Sequence, residues 1–94
     1  MNARLYILLN IKEGKAEEAI SILRNEQGVV MADAIESSHD IILVMEGCGR
    51  QHLAELTVQA LTAVKELTEE TQLLPAKELT FSRSINLPLV FNPN

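Results

Sequence analysis

The chain has 94 residues, 47% of them hydrophobic, enough for one modest core and one domain. Aromatic residues make up only 3% and tryptophan is absent, so that core has to be built from Leu, Ile, Val, Ala and Met. A net charge of −5, with eight Lys and Arg scattered and never clustered, excludes a surface that grips nucleic-acid phosphates.

Arg4 to Ile11, RLYILLNI, is mostly apolar and rich in β-formers, which predicts a first strand. KEGK breaks it, with Gly14 at the turn. From Lys15 the period changes: Ala16, Ala19, Ile20 and Leu23 fall on one helical stripe, with Glu17, Glu18 and Arg24 off it. Gly28 is placed to stop that helix. Val29 to Ile35 reads as a second strand, Glu36 to His39 as a polar turn, and Asp40 to Met45 as a third strand. Gly47 and Gly49 open the next connection, and a second helix over about Arg50 to Lys65 turns Leu53, Leu56, Ala60, Leu61 and Val64 inward. Thr68 to Leu74 is a weaker fourth strand.

The order β-α-β-β-α-β carries a repeat at an offset of 35 residues. Tyr6-Ile7-Leu8-Leu9 aligns with Ile41-Ile42-Leu43-Val44, Gly14 with Gly49, and Ala19 with Ala54. Two βαβ units predict an α+β fold, the ferredoxin-like βαββαβ sandwich with both helices on one face of an antiparallel sheet. The other face should then be polar in a monomer, yet the first and third strands are apolar on both sides. In the third, Ile42 and Val44 point one way and Ile41, Leu43 and Met45 the other. A second sheet is the simplest cover, which predicts a homodimer packed face to face as a dimeric α/β barrel. Leu5, Ile7, Leu9, Ile41, Leu43 and Met45 are assigned to that interface. The domain proper spans residues 1–75, and residues 76–94 form a C-terminal tail. Leu79, Phe81, Ile85, Leu87, Leu89, Val90 and Phe91 make that tail apolar enough to dock on its own or a partner subunit.

General chemistry yields no catalytic constellation. His39 and Asp40 are adjacent on a strand and point to opposite faces, so they make a poor dyad with each other; they either line a pocket at the hairpin or simply build a turn. His39, Cys48 and His52 match no zinc spacing, so no metal and no cofactor is expected. Cys48, between glycines, reads as a loop cysteine; as the single cysteine of the chain it forms no internal disulfide. The apolar run Leu5 to Ile11 is too short for a membrane span, and no signal segment is recognisable, so the setting expected is cytoplasmic without membrane contact.

From Leu5 to Leu74 the landmarks together resemble the effector-binding (RAM) domain of the Lrp/AsnC regulator family. YILLNIKEGKAEEAISILRNEQGVV is similar to its first strand, Gly-Lys helix start and Gly-Val step, and ADAIESSHDIILVMEG to its second strand, hairpin and third strand. The resemblance implies sheet-to-sheet dimers that assemble into tetramers or octamers and bind amino acids or related molecules around the hairpin. On this chain that hairpin is Ser37, Ser38, His39 and Asp40, with Asp40 matching the family's aspartate and Ser37 standing where a glycine is usual. Thr68 and Thr71 loosely match its threonine-rich last strand. The chain starts at the first strand, so the resemblance implies a stand-alone member that lacks the helix-turn-helix, makes no direct nucleic-acid contact and modulates a full-length regulator.

The expected function is a non-catalytic module that binds an amino-acid-like effector, oligomerises and modulates transcription. Asp40 is the expected ammonium partner and His39 a pocket wall or donor. Two other readings stay open. One is a cofactor-independent, monooxygenase-like enzyme of the dimeric α/β-barrel kind, drawing on Tyr6, Asn10 and His39. The other is a chaperone-like module that adds a peptide to a sheet edge.

Overall fold

A computed structural model describes residues 2–35 and 39–74. Its elements are β1 (Ala3–Ile11), α1 (Ala16–Arg24), β2 (Val29–Ala34), β3 (Asp40–Gly47), α2 (Arg50–Ala63) and β4 (Thr68–Leu74), with a 3-10 turn at Lys65–Leu67 before β4. The strands form one antiparallel-paired sheet in the order β2-β3-β1-β4. Each helix therefore connects two parallel strands across an intervening one, the split βαβ unit of a ferredoxin-like sandwich. The expected docking of residues 76–94 lies outside the described residues, as do Ser37 and Ser38.

Both helices start and stop where the sequence changes character. Glu17 and Glu18 occupy the first turn of α1 and Arg24 its last, each sign suited to the local end of the helix dipole. α2 has no acidic first turn; instead the imidazole Nδ1 of His52 accepts the Cys48 N–H at 2.8 Å and satisfies one orphan donor ahead of the helix. Gly14 and Gly49, matched in the repeat, both have positive φ, 78° and 102°.

α1 packs on β2 and β3, and α2 on β3 and β1. Beneath them lie Ile7, Leu9, Ile11, Ile41, Leu43 and Met45, closed over by Ala19, Leu23, Leu53, Leu56, Ala60 and Val64. Two glycines set the spacing. A Cβ on Gly47 would stand 2.6 Å from the Leu53 backbone, and one on Gly28 would stand 2.8 Å from Leu56 Cδ1 and 3.0 Å from the Glu46 carbonyl. At Gly28 φ is also +85°, a conformation that L side chains rarely adopt. Thr57, which the hydrophobic stripe missed, is buried in α2 because its hydroxyl donates back to the Leu53 carbonyl at 2.7 Å.

The interface assignment needs correction. Ile7, Leu9, Ile41, Leu43 and Met45 are fully buried in the chain's own core, and Leu5 packs against that core half-buried. Side chains already enclosed by the helices have no surface left for a second copy. Both faces of β1 and β3 are apolar, so period-2 alternation separated the two sets without saying which set the helices take.

Candidate functional site

The strand register lays the side chains of the helix-free face out in transverse rows. Arg4 stands opposite Glu46. The next row runs Met31, Val44, Tyr6, Leu74 across all four strands, and the one after it Asp33, Ile42, Leu8, Gln72. The last runs Asp40, Asn10, Glu70. Two rows with apolar centres are thus bounded by a charged pair at one end and a polar, acidic row at the other.

At the first end, the Arg4 Nε donates to Glu46 Oε2 at 2.8 Å with a second contact from Nη2, and Nη1 donates to the Tyr6 hydroxyl at 3.4 Å. The hydrogen bond to Tyr6 and then the pairing with Glu46 hold the Arg4 guanidinium above its ordinary pKa. Its role here is to keep charge neutral beside Tyr6.

At the other end, Asn10 Nδ2 donates to Asp40 Oδ1 at 2.8 Å. This is a cross-strand pair, formed because Asn10 and Asp40 are opposite one another in the β1–β3 register. Leu8, Asn10, Asp40, Glu70 and Gln72 line a cleft of about 180 Å³. Two carboxylates face it and no cationic side chain does. The Asn10 amide, having spent a donor on Asp40, presents its carbonyl oxygen as an acceptor. The wall is therefore rich in acceptors, with the Leu8 side chain as its apolar part and the Gln72 amide and the second Asn10 N–H as side-chain donors.

The site residues expected from sequence are split by this geometry. Asp40 is part of the cleft. His39 is exposed, and its backbone carbonyl accepts the Ile11 N–H at 3.1 Å, fastening the start of β3 to β1. Thr68 and Thr71 lie on the opposite face of the sheet, in register with Ile11 and Leu9. The Thr68 hydroxyl donates to the Val64 carbonyl at 2.8 Å, which ties β4 to the end of α2. Both threonines line a separate groove of about 300 Å³ with Leu61, Thr62, Lys65, Glu69 and Glu70. One ligand cannot touch both Asp40 and these threonines within a single copy, because the sheet stands between them.

Leu8, Glu70 and Gln72 were missed as site residues, and Asn10 was considered only for an enzyme. Their signal is the β1–β4 register, which shifts at a bulge between Asn10 and Ile11 and so cannot be counted off the sequence. The other candidate chemistry does not converge. His52 Nδ1 is occupied by the Cys48 amide, and among the described residues no three His, Cys, Asp or Glu side chains gather to hold a metal ion. Among the described residues, too, no helix is long and apolar enough to cross a membrane.

No family model and no curated protein matches the chain. Among solved structures it is similar to a NIPSNAP family protein of Agrobacterium tumefaciens, with 14% identity over 79% of this chain and 90% of that one and a TM-score of 0.57. It is also similar to the protein PH0061, with 17% identity over 76% of this chain and a TM-score of 0.58, although it spans only 50% of that protein. At such identities the likeness is one of fold.

Proposed function

We propose that the chain is a small-molecule-binding module of the Lrp/AsnC effector-domain type that works as a homodimer. On this reading the ammonium group of an amino-acid-like ligand sits at the Asp40–Asn10–Glu70 row. One observation carries the reading: an acceptor-rich cleft lies on the same helix-free sheet face as two apolar rows. A cation entering it meets the Asp40 and Glu70 carboxylates and the Asn10 carbonyl oxygen, while the Gln72 amide is a donor available to a ligand carboxylate. Leu8 provides the wall for a short aliphatic side chain.

A second copy packed over the part-exposed Tyr6, Leu8 and Ile42 roofs this cleft. Excluding water there strengthens the attraction between the ligand's ammonium and the carboxylates. The sequence resemblance supports extending the proposal to tetramers or octamers, and to a full-length regulator as the partner through which ligand acts on transcription. The single cysteine, which can form no internal disulfide, supports a cytoplasmic setting.

The test is a thermal-shift and light-scattering screen against the twenty amino acids and their decarboxylated amines. A ligand at a hundred times its Kd stabilises the folded state by ~2.7 kcal/mol, which for a domain of this size raises Tm by roughly 10 °C. Asp40→Asn and Glu70→Gln should abolish that rise, while Thr68→Ala should lower the unliganded Tm and leave the rise intact. A rise that survives loss of both carboxylates, or no response to any compound, would refute the assignment.

A further inference from the structure

We propose that the groove on the helix side of β4 is the seat of this chain's own C-terminal segment, residues 76–94. This inference does not rest on the ligand reading, which concerns the opposite face of the sheet and shares with this groove the edge-strand residue Glu70.

The helix layer stops one strand short. α1 and α2 pack over β2, β3 and β1, so the core row that begins with fully buried Ile7 ends at its β4 neighbour Leu73, which is 56% exposed. Beside it the end of α2, the 3-10 turn and β4 enclose the groove whose walls are Leu61, Thr62, Lys65, Thr68, Glu69, Glu70 and Thr71. Threonine methyls, a leucine and the aliphatic stem of a lysine make a surface for an extended, largely apolar strip with a polar margin.

The segment that leaves β4 has that composition. Residues 76–94 hold Leu79, Phe81, Ile85, Leu87, Leu89, Val90 and Phe91, including both phenylalanines of the chain. Pro75, which has no N–H to donate to a ladder, directly follows the last β4 residue, Leu74. β4 is 7 residues long, about 23 Å at strand rise. The 19 residues beyond Pro75 reach ~60 Å when extended, ample to turn and run back along it.

Charge agrees with this seat. Glu69 and Glu70 line the groove, Glu66 follows its wall residue Lys65 in the 3-10 turn, and none of the three forms an ion pair among the described residues. The segment brings Lys77 and Arg83 against a single acid, Glu78. Tethering decides between this segment and the same segment of a second copy. A strip joined to Leu74 by a few residues is present at an effective concentration in the millimolar range, far above that of a separate molecule in dilute solution.

The chain's lack of tryptophan makes the test clean. Phe81→Trp puts a single indole in the segment of the full-length chain. Docking predicts emission shifted to the blue and a several-fold loss of acrylamide quenching relative to the urea-unfolded chain, unchanged on dilution. Leu73→Glu in the same chain should restore solvent-exposed emission and quenching. Thr71→Arg, a second exposed position on the same side of β4, should do so as well, while circular dichroism confirms that each variant stays folded. A solvent-exposed indole in the parent overturns the proposal. So does a shielded indole that ignores both groove substitutions, which puts the segment elsewhere. Shielding lost on dilution also overturns it, in favour of a segment exchanged between copies.

Discussion

Two neighbours on β3, Ile42 and Leu43, lie on opposite faces of the sheet. Ile42 lies on the helix-free face, half-buried, between Asp33 and Leu8, whereas Leu43 is fully buried under the helices. Ile42→Glu in a lone chain puts a carboxylate at a half-exposed site and should cost the fold little. In a two-fold interface the same change occurs twice. Fully burying an isoleucine is worth about 1.5–3 kcal/mol. Roughly 1 kcal/mol per copy is therefore still to be gained on docking, and losing it twice weakens association by about 30-fold. The new carboxylate beside Asp33 adds repulsion to that loss. Leu43→Ala should do the reverse: it leaves a cavity that costs about 2–5 kcal/mol, lowering Tm by about 10 °C or more, with the association constant unchanged while the chain is folded. Sedimentation equilibrium and thermal melts on both variants read the two quantities separately. A parent chain that is monomeric, or a dimer broken by Leu43→Ala and untouched by Ile42→Glu, would refute the placement of the interface.

Gly47→Ala should be among the most damaging single-atom-group changes, because the added Cβ meets the Leu53 backbone at 2.6 Å and α2 has to shift. A loss of about 1–3 kcal/mol in urea unfolding is expected. Cys48→Ser should be nearly silent, since the backbone N–H of residue 48 makes the bond to His52, whereas His52→Ala should cost about 0.5–1 kcal/mol through the loss of that hydrogen bond; equal effects would contradict that account. Asn10→Ala should weaken ligand binding by removing the partner that orients Asp40 at 2.8 Å, with a change in Tm of the unliganded chain corresponding to about 1 kcal/mol.

The elements were legible because their signals are local. The switch from period 2 to period 3.6 after Lys15 and the start after Gly49 place the strands and the second helix within two residues of those observed, whereas the first helix ends at Arg24, well before the stop expected at Gly28. The choice of sheet face was not legible, since Ile7 and Leu8, or Leu43 and Val44, carry the same hydrophobic signal and only the docking of the helices distinguishes them. The site was half legible. Asp40 could be reached through the hairpin, but Glu70 looks like a solvated acid next to Glu69 until the β1–β4 register sets it opposite Asn10. Thr68 and Thr71 failed as partners of Asp40 for the same reason: the bulge at Asn10/Ile11 and the alternation of β4 put them on the far side of the sheet.

Placing the acidic row and the apolar rows on one face has a thermodynamic consequence. A ligand whose site is roofed only in the dimer binds the dimer better than the monomer, and linkage then requires that ligand strengthen association by the same factor. A tenfold preference of ligand for the dimer is about 1.4 kcal/mol per site, and two sites in a symmetric pair give ~2.8 kcal/mol on the dimerisation free energy. The dimerisation constant should therefore rise about a hundredfold at saturating ligand. Asp40→Asn should cancel this gain and leave dimerisation without ligand where it was, because Asp40 lies in the cleft at the end of the rows and not among their apolar centres. Ile42→Glu should lower both ligand affinity and dimerisation. An Asp40→Asn chain that fails to dimerise, or an Ile42→Glu monomer that binds ligand as tightly as the parent, would uncouple the two and refute a shared face.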